Sequence, residues 1–340
     1  MKAGVFGLLF LAAMLLAPGV VSAQKQLRVV YHPNRDNKLA LWVAEDAGFF
    51  KKNGLEVILM AEPRTGEDTV KAVLSREIEI GVMGFRDAVR PLTVTAGADV
   101  AFIASLAANP FVFLAHPDIK SPQDLKGKKI WTARFGRGPD VATRVVLRYL
   151  RIDPERDVRL ISCSECSVNL TDNPSVGVRW IFDGKVAASL ANRGALRDLE
   201  KEGKRVTVLA DFIEAGLYIT AADVMVQTDW LRANREAAKS FLRALVEATA
   251  YAKKNKDFTN AVLKKYLLKE FATGMETKFE DFVLGVLPKK PYPLAKGLEI
   301  AIQEKAPGHA FFQNKKASDF IDESLMREIE NEGLFERLYR

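Results

Sequence analysis

Short apolar runs alternate with amphipathic segments along the first part of the chain. Residues 27–31 predict a strand, and residues 39–52 then carry apolar side chains at helical spacing. Residues 55–60 and 78–83 predict a second and a third strand, each set off from its neighbours by polar turns. Strands that alternate with helices are typical of a largely parallel sheet covered on both faces. The pattern therefore predicts an α/β fold.

The same alternation begins again near residue 121 and gives way to a long helical region. Further strands are predicted at residues 100–105, 111–115, 130–132, 158–161, 187–190 and 206–209. From residue 228 onward, apolar residues such as Ala238, Phe241 and Leu245 recur at helical spacing. We expect two sheets of similar construction, with the C-terminal helices packed on the first.

The first 23 residues have the pattern of a secretory signal peptide. Lys2 precedes an apolar run at residues 5–17, and small residues at 21 and 23 come before a cleavage point. The run is shorter than the roughly 20 residues that a membrane-spanning helix needs. Since residue 24 is Gln and not Cys, we expect no lipid anchor. The predicted mature protein begins at Gln24 and is soluble in the periplasm or another extracytoplasmic space.

Composition narrows the classes of function. The chain has 340 residues, a length typical of two domains, and its 48% hydrophobic and 27% charged residues indicate a globular core. The net charge is +7, but basic residues are interspersed with acidic ones, so we expect no nucleic-acid partner. Two cysteines and three histidines make a metal site or a histidine-based catalytic triad improbable. We expect neither a metal nor a cofactor.

Three stretches together resemble a known family. Residues 41–57 (LWVAEDAGFFKKNGLEV) resemble the pattern A-x-x-x-G-[FY]-F-x-x-x-G-L-x-V, and residues 121–130 (SPQDLKGKKI) resemble s-x-x-D-L-K-G-K-k-V. Residues 75–82 (SREIEIGV) are similar to its G-E-I-D-I-G step, with Arg76 where glycine is usual. The resemblance extends over residues 27–255. It is to periplasmic solute-binding proteins of the NMT1/THI5-like type, which include nitrate, taurine, alkanesulfonate (SsuA-like) and thiamine-pyrimidine binders.

The resemblance implies a type II periplasmic-binding-protein clamshell of two α/β lobes. Residues 24–115 and 224–340 would form the first lobe and residues 116–223 the second, with chain crossings near 113–118 and 218–226. Ligand would bind in the cleft, where the ends of strands and the beginnings of helices meet. Closure on the ligand would present a monomer to the permease of an ABC importer. No catalysis is required for this function.

Five loops are expected to face the cleft, three after strands of the first lobe and two after strands of the second. In the first lobe, polar, glycine and aromatic residues follow the strands, and an asparagine precedes a helix where it could cap or bind ligand. In the second lobe, glycines between a strand and a helix could cradle an anion, because backbone N–H groups converge there with the helix dipole. The candidate ligand-binding residues are Asn37, Trp42, Gly84, Phe85, Arg86, Asn109, Arg134, Phe135, Gly136, Arg137, Gly138, Asn192 and Arg193.

Two classes of ligand remain open at this point. Arginines recur at the predicted cleft loops, and guanidinium groups suit carboxylate, sulfonate or phosphate. The alternative is a neutral, pyrimidine-like heterocycle held by aromatic rings. Val186 stands where the family's pattern usually has Asp, which leaves the ligand undetermined. The rings that would hold a heterocycle are Trp42, Phe85, Phe111 and Phe135.

Cys163 and Cys166 form a single C-x-x-C, for which a short-range disulfide is the simplest interpretation in an oxidising compartment.

The preferred function is capture of a small solute for an ABC-type permease. One alternative is an enzyme similar to the pyrimidine synthases of the same superfamily, which depend on a histidine and a cysteine-rich iron-binding motif. Another is a sensor component that presents its closed form to a receptor.

Overall fold

The computed structural model describes residues 25–31, 36–61, 65–96, 98–108, 111–132, 135–136, 138–162, 174–220, 222–267 and 279–340. The strands are β1 (Lys25–Tyr31), β2 (Leu55–Ala61), β3 (Ile80–Met83), β4 (Val100–Ser105), β5 (Phe111–Ala115), β6 (Lys129–Trp131), β7 (Arg159–Ile161), β8 (Ala188–Asn192), β9 (Thr207–Asp211) and β10 (Asp223–Gln227). The predicted leader, residues 1–23, lies outside the described residues.

Helices surround these strands. They are α1 (Leu39–Asp46), α2 (Phe49–Lys52), α3 (Gly66–Leu74), α4 (Phe85–Val94), α5 (Gly138–Tyr149), α6 (Pro174–Phe182), α7 (Arg193–Lys201), α8 (Thr228–Ala233), α9 (Arg235–Lys254), α10 (Lys256–Tyr266), α11 (Ala295–Lys305), α12 (Ser324–Asn331) and α13 (Leu334–Tyr339). Over the described ranges, none of these helices has the length and apolar character that a membrane span requires.

The strands form two five-stranded sheets with the same plan. The first has the order β2-β1-β3-β10-β4, and the second has the order β7-β6-β8-β5-β9. In each sheet four strands run in the same direction, and the fourth in the order runs against them and pairs antiparallel with both of its neighbours. In the chain, that strand directly follows a strand of the other sheet: β10 follows β9, and β5 follows β4. The predicted α/β fold with two similar sheets is confirmed.

The exchange of strands moves the first lobe boundary. The sequence analysis placed residues 111–115 at the end of the first lobe, but β5 pairs with β8 and β9 in the second sheet. The chain therefore crosses between β4 and β5, earlier than residues 113–118, and returns between β9 and β10. The two crossing segments lie side by side, since Ala108 forms an isolated antiparallel bridge with Thr220.

Both faces of each sheet are buried. Successive side chains along a strand point to opposite faces, and each face packs into its own apolar cluster. Along β1, Val29 belongs to one apolar cluster of the first lobe and Val30 to another on the opposite face. The first of these clusters includes residues from the C-terminal helices α9, α10, α12 and α13. Phe50 stacks on Phe241 with ring centroids 5.5 Å apart. The predicted packing of the C-terminal helices on the first lobe therefore agrees with the structure.

Candidate functional site

The facing surfaces of the two lobes enclose a small cavity. Its volume is about 10 Å³, room for about one water molecule. Apolar side chains make up most of its wall, and one guanidinium and one hydroxyl group are its polar side-chain groups. The lining residues are Arg86, Val141, Ile219, Thr220, Gly297, Ile300 and Ala301.

Arg86 reaches from the first lobe to the second. It lies in the first turn of α4, directly after the end of β3, where the predicted cleft loop brings it to the carboxyl edge of the sheet. Its guanidinium carbon lies 3.2 Å from where a Cβ would stand at Gly138, the first residue of α5. A glycine at this position leaves room for that approach. Within the first lobe, Arg86 Nη2 lies 3.6 Å from Asp87 Oδ1.

This arrangement puts a cation beside the positive end of a helix. The amino end of α5 carries a partial positive charge, and the guanidinium of Arg86 adds a full one. An anion placed between them would interact favourably with both. The site residues Arg86 and Gly138, which the sequence assigned to different loops, are therefore brought together across the cleft.

A buried carboxylate supports the first-lobe side of the site. Asp223, the first residue of β10, is fully buried. Its Oδ2 accepts a hydrogen bond from the backbone N of Phe85 (2.9 Å), and its Oδ1 accepts one from Ser105 Oγ (2.6 Å). Asp223 therefore caps α4 and fixes the turn that carries Arg86 where the returning chain enters the sheet.

Burial also changes the acid–base behaviour of Asp223. Loss of hydration raises the pKa of its carboxyl to about 7, although its hydrogen bonds and the charge of Lys38 act in the opposite direction. Lys38 is itself 3% exposed and lies at the beginning of α1. A buried lysine and a buried aspartate thus share the carboxyl edge of the first sheet.

Asn37 is at the same edge, and its amide oxygen has no hydrogen-bond partner among the residues that the structure describes. The residue is 4% exposed, and its Oδ1 is buried without a hydrogen bond. It does not cap α1, because Lys38 occupies the cap position and no side chain caps the helix. A buried carbonyl oxygen without a donor is costly, so Asn37 suits a ligand or a water molecule that donates to it.

The glycine loop of the second lobe holds a carboxylate from its own helix. Gly136 has φ 77°, which glycine adopts without strain, and its N–H donates to Asp140 Oδ2 at 2.8 Å. Thr132 and Arg144 also donate to Asp140, which is 3% exposed. The sequence predicted an anion cradle at this loop. In its described part, the anion at Gly136 is Asp140, whose charge suits the first turn of α5.

Asn192 and Arg193 also have partners within the second lobe. The Asn192 side chain caps α7 by accepting a hydrogen bond from Ala195 N at 2.7 Å. Arg193 Nη2 lies 2.7 Å from Asp211 Oδ2 at the end of β9. This pair lowers the pKa of Asp211, with burial opposing the shift. Their contacts tie α7 to its own sheet, and the described structure gives neither residue a contact across the cleft.

The aromatic residues do not assemble into one stacking site. Trp42 and Phe85 are fully buried: Trp42 stacks on Tyr266 at 5.3 Å, and Phe85 meets the edge of Phe102 at 4.6 Å. Phe111, 4% exposed, packs on Phe212. These rings complete the cores of the lobes, so the expectation that they hold a ligand is not supported. Phe135, at 55% exposure, is the open ring of the set.

Several candidate residues are not placed by the structure. Asn109, Arg134, Arg137, Cys163 and Cys166 lie outside the described residues. Gly84 is described and precedes α4 in an extended conformation. Within the described ranges, no group of three or more His, Cys, Asp and Glu side chains is arranged to hold a metal ion.

Sequence reasoning missed the two contributions that come from distant parts of the chain. The first is Asp223, whose one sequence signal is a charged residue at the start of an apolar strand, Asp223–Gln227. The second is α11, which supplies Gly297, Ile300 and Ala301 to the cavity wall although its spacing predicts only packing on the first lobe. No local pattern identifies the partner of either.

Two sheets of equal plan, an exchanged strand in each and a cleft between them define the fold of the periplasmic solute-binding proteins. The structure is similar to a putative periplasmic sulfonate-binding protein of a sulfonate ABC transporter, SsuA from Methylobacillus flagellatus KT. The TM-score is 0.64 at 16% identity, with 93% of this chain and 97% of the other covered. At this identity the likeness establishes the fold.

The family follows from sequence comparison. The model of the NMT1/THI5 like family matches residues 36–257, and the chain belongs to this family. It is 26% identical over 231 residues to the "Putative binding protein YtlA" of Bacillus subtilis, covering 66% of each chain. It is 28% identical over 227 residues to a 4-amino-5-hydroxymethyl-2-methylpyrimidine phosphate synthase of Aspergillus parasiticus, covering 62% of this chain and 61% of the synthase. The matched segment thus spans less than two thirds of either relative.

Proposed function

We propose that the protein is an extracytoplasmic solute-binding protein that captures a small organic anion between its lobes and delivers it to an ABC-type permease. The family and the fold support the binding role, and the predicted leader supports export. Because the lobes are joined by two crossing segments, a ligand that contacts both lobes favours the closed form. The closed form is the state that the permease would recognise.

The position of Arg86 at the amino end of α5 is the observation that favours an anion. The guanidinium and the helix dipole both attract negative charge, and they belong to different lobes, so an anion between them links the two. The apolar side chains of Val141, Ile219 and Ile300 would contact a short hydrocarbon part once the cavity, which now has room for about one water molecule, widens around the ligand. We therefore expect a sulfonate, carboxylate or phosphate that carries an organic group.

A pyrimidine-like heterocycle is the second candidate class. It is favoured by the unpaired Oδ1 of Asn37, which would accept a hydrogen bond from a ring N–H or an amino group. The burial of Trp42 and Phe85 among core side chains weighs against it, since those rings offer no free face for stacking. A synthase activity is a further alternative, with one distant relative so named.

A thermal-shift screen separates these classes. The mature chain from Gln24 would be tested with short alkanesulfonates, carboxylates, phosphate and nitrate, and with aminopyrimidines. Ligands that bind the folded state raise its melting temperature. The account predicts a shift with an organic anion that exceeds the shift with any pyrimidine. A shift with pyrimidines alone would replace the proposed ligand class and retain the binding role.

The binding role has its own test in solution scattering. Saturating concentrations of the best anion should favour the closed form and reduce the radius of gyration. An unchanged radius with the ligand bound would indicate a rigid pocket and contradict delivery by lobe closure. Recovery of the protein from the periplasm with residues 1–23 intact would contradict the predicted export route.

A further inference from the structure

The helix α11 (Ala295–Lys305) contacts both lobes. On one side, Leu298 and Ala301 belong to the apolar cluster of the first lobe that contains Phe85 and Leu92. On the other side, Ile300 packs against the core of the second lobe. A helix that the sequence assigned to one lobe therefore fills space between the two.

The same helix presses on the returning chain. A Cβ at Gly297 would lie 2.9 Å from Thr220 Cγ2 and 3.3 Å from the carbonyl oxygen of Tyr218, so no larger residue fits without movement. Just before the helix, Leu294 N donates to Ser105 Oγ, the hydroxyl that also bonds Asp223. The amino end of α11 is thus fixed to the hydrogen-bond network around the crossings.

The carboxyl end of α11 is tied to the second lobe by charge. Glu304 forms an ion pair with Arg148 of α5, and the Glu304 side chain is only 9% exposed. A negative charge in the last turn of a helix is unfavourable, so Glu304 depends on the guanidinium from the other lobe for compensation. The Arg148–Glu304 pair and the Ile300 contact must both be lost if the lobes separate.

We propose that α11 is a strap that holds the lobes closed, with the Arg148–Glu304 pair as its releasable contact. Opening separates this pair and exposes Ile300, so the strap shifts the balance between open and closed forms before any ligand binds. The strap thereby sets how readily a solute enters the cleft. This inference rests on the proposed function, because a strap matters only if the cleft must open.

Distances between the lobes in the absence of ligand test the strap. Spin labels would be placed at Lys71 on α3 and Asp198 on α7, whose side chains are 61% and 64% exposed, in a chain with both native cysteines changed to serine. Pulsed electron paramagnetic resonance then gives the distribution of distances between the two labels. In Arg148→Glu, the long-distance population should rise about two- to fivefold relative to the short one, the range expected for a partly exposed ion pair.

Two further variants decide the result. The double reversal Arg148→Glu with Glu304→Arg restores an attractive pair and should return the distribution to that of the wild type. Arg243→Glu removes a pair with Glu332 that lies entirely within the first lobe, and it should leave the distances unchanged. A wild-type distribution for Arg148→Glu, or failure of the double reversal to restore it, would overturn the strap.

The outcome is independent of the ligand. If the distances shift as expected but none of the tested anions or pyrimidines binds, the proposed function fails and the strap stands. If an anion binds and compacts the protein while Arg148→Glu leaves the ligand-free distances unchanged, the strap fails and the binding role stands.

Discussion

The two lobes share one strand order, but the beginning of α4 in the first lobe is stabilised differently from the beginnings of α5 and α7 in the second. In the first lobe, the carboxylate that accepts from Phe85 N belongs to Asp223, 138 residues further along the chain. In the second lobe, the acceptors lie close by: Asp140 is four residues from Gly136, and Asn192 is three residues from Ala195. The beginning of α4 therefore depends on a residue that is distant in the chain, whereas the beginnings of α5 and α7 are stabilised by residues that are close in the chain.

The difference has a functional consequence. Because Asp223 begins the strand that returns from the second lobe, it joins the turn that carries Arg86 to the crossing itself. The hydrogen bonds at Gly136 and Ala195 lie within the second lobe and do not involve the chain crossings. We infer that the first lobe holds the charged group rigidly, while the second lobe supplies a preformed helix end that moves toward or away from it.

Loss of the distant partner should have the largest effect on stability. Asp223→Ala leaves the buried N–H of Phe85 and the hydroxyl of Ser105 without their acceptor, and each unsatisfied group costs about 1–3 kcal/mol. We expect the free energy of unfolding to fall by roughly 2–4 kcal/mol. Urea denaturation of the mature protein measures it. If the free energy of unfolding falls no more than it does for a surface substitution, the hydrogen bonds to Asp223 do not stabilise the fold.

The charge on Asp223 should make stability depend on pH. Burial raises its pKa from an ordinary value near 3.8 to about 7, so between these values the folded protein keeps a proton that the unfolded chain releases. The free energy of unfolding therefore decreases as pH rises through this window, by about 4 kcal/mol over the whole of it, and this contribution is constant above it. Asp223→Asn removes the titrating group.

Comparison of the wild type with Asp223→Asn isolates the contribution of the Asp223 carboxyl group. The stability of the wild type relative to Asp223→Asn should be higher at pH 5 than at pH 8, as measured by urea denaturation at both values. An equal difference at the two pH values would mean that the carboxyl of Asp223 does not titrate between them in the folded state.

The local cap of the second lobe should cost less to remove. Asn192→Ala loses the side-chain acceptor for Ala195 N at the exposed beginning of α7, where water can replace it. We expect a loss of about 1 kcal/mol, typical of a helix cap. Thermal or urea denaturation of Asn192→Ala and Asp223→Ala under the same conditions shows which variant loses more stability. A larger loss for Asn192→Ala would reverse the contrast between the lobes.

Local patterns predicted the fold well and the site only in part. Strand and helix spacing located both sheets, because periodicity reflects which face of an element is buried. The assignment of residues 111–115 to the first lobe was wrong, since a strand's sequence does not record which sheet it joins. The sequence predicts ligand contacts for the rings of Trp42 and Phe85, yet the structure buries both in the core of the first lobe. Asp223 escaped prediction because its partners are remote in the chain.

We expect the solute to bind Arg86, which reaches Gly138 of the other lobe, and not Arg193, which pairs with Asp211 at 2.7 Å within its own lobe. Calorimetry with the organic anion that gives the largest thermal shift would compare Arg86→Ala with Arg193→Ala, whose side chain is engaged by Asp211. The account predicts that Arg86→Ala weakens binding by about 1.5–3 kcal/mol, the range for a hydrogen bond to a charged group, while Arg193→Ala changes it little. Unchanged affinity in Arg86→Ala, with a loss in Arg193→Ala, would contradict the account.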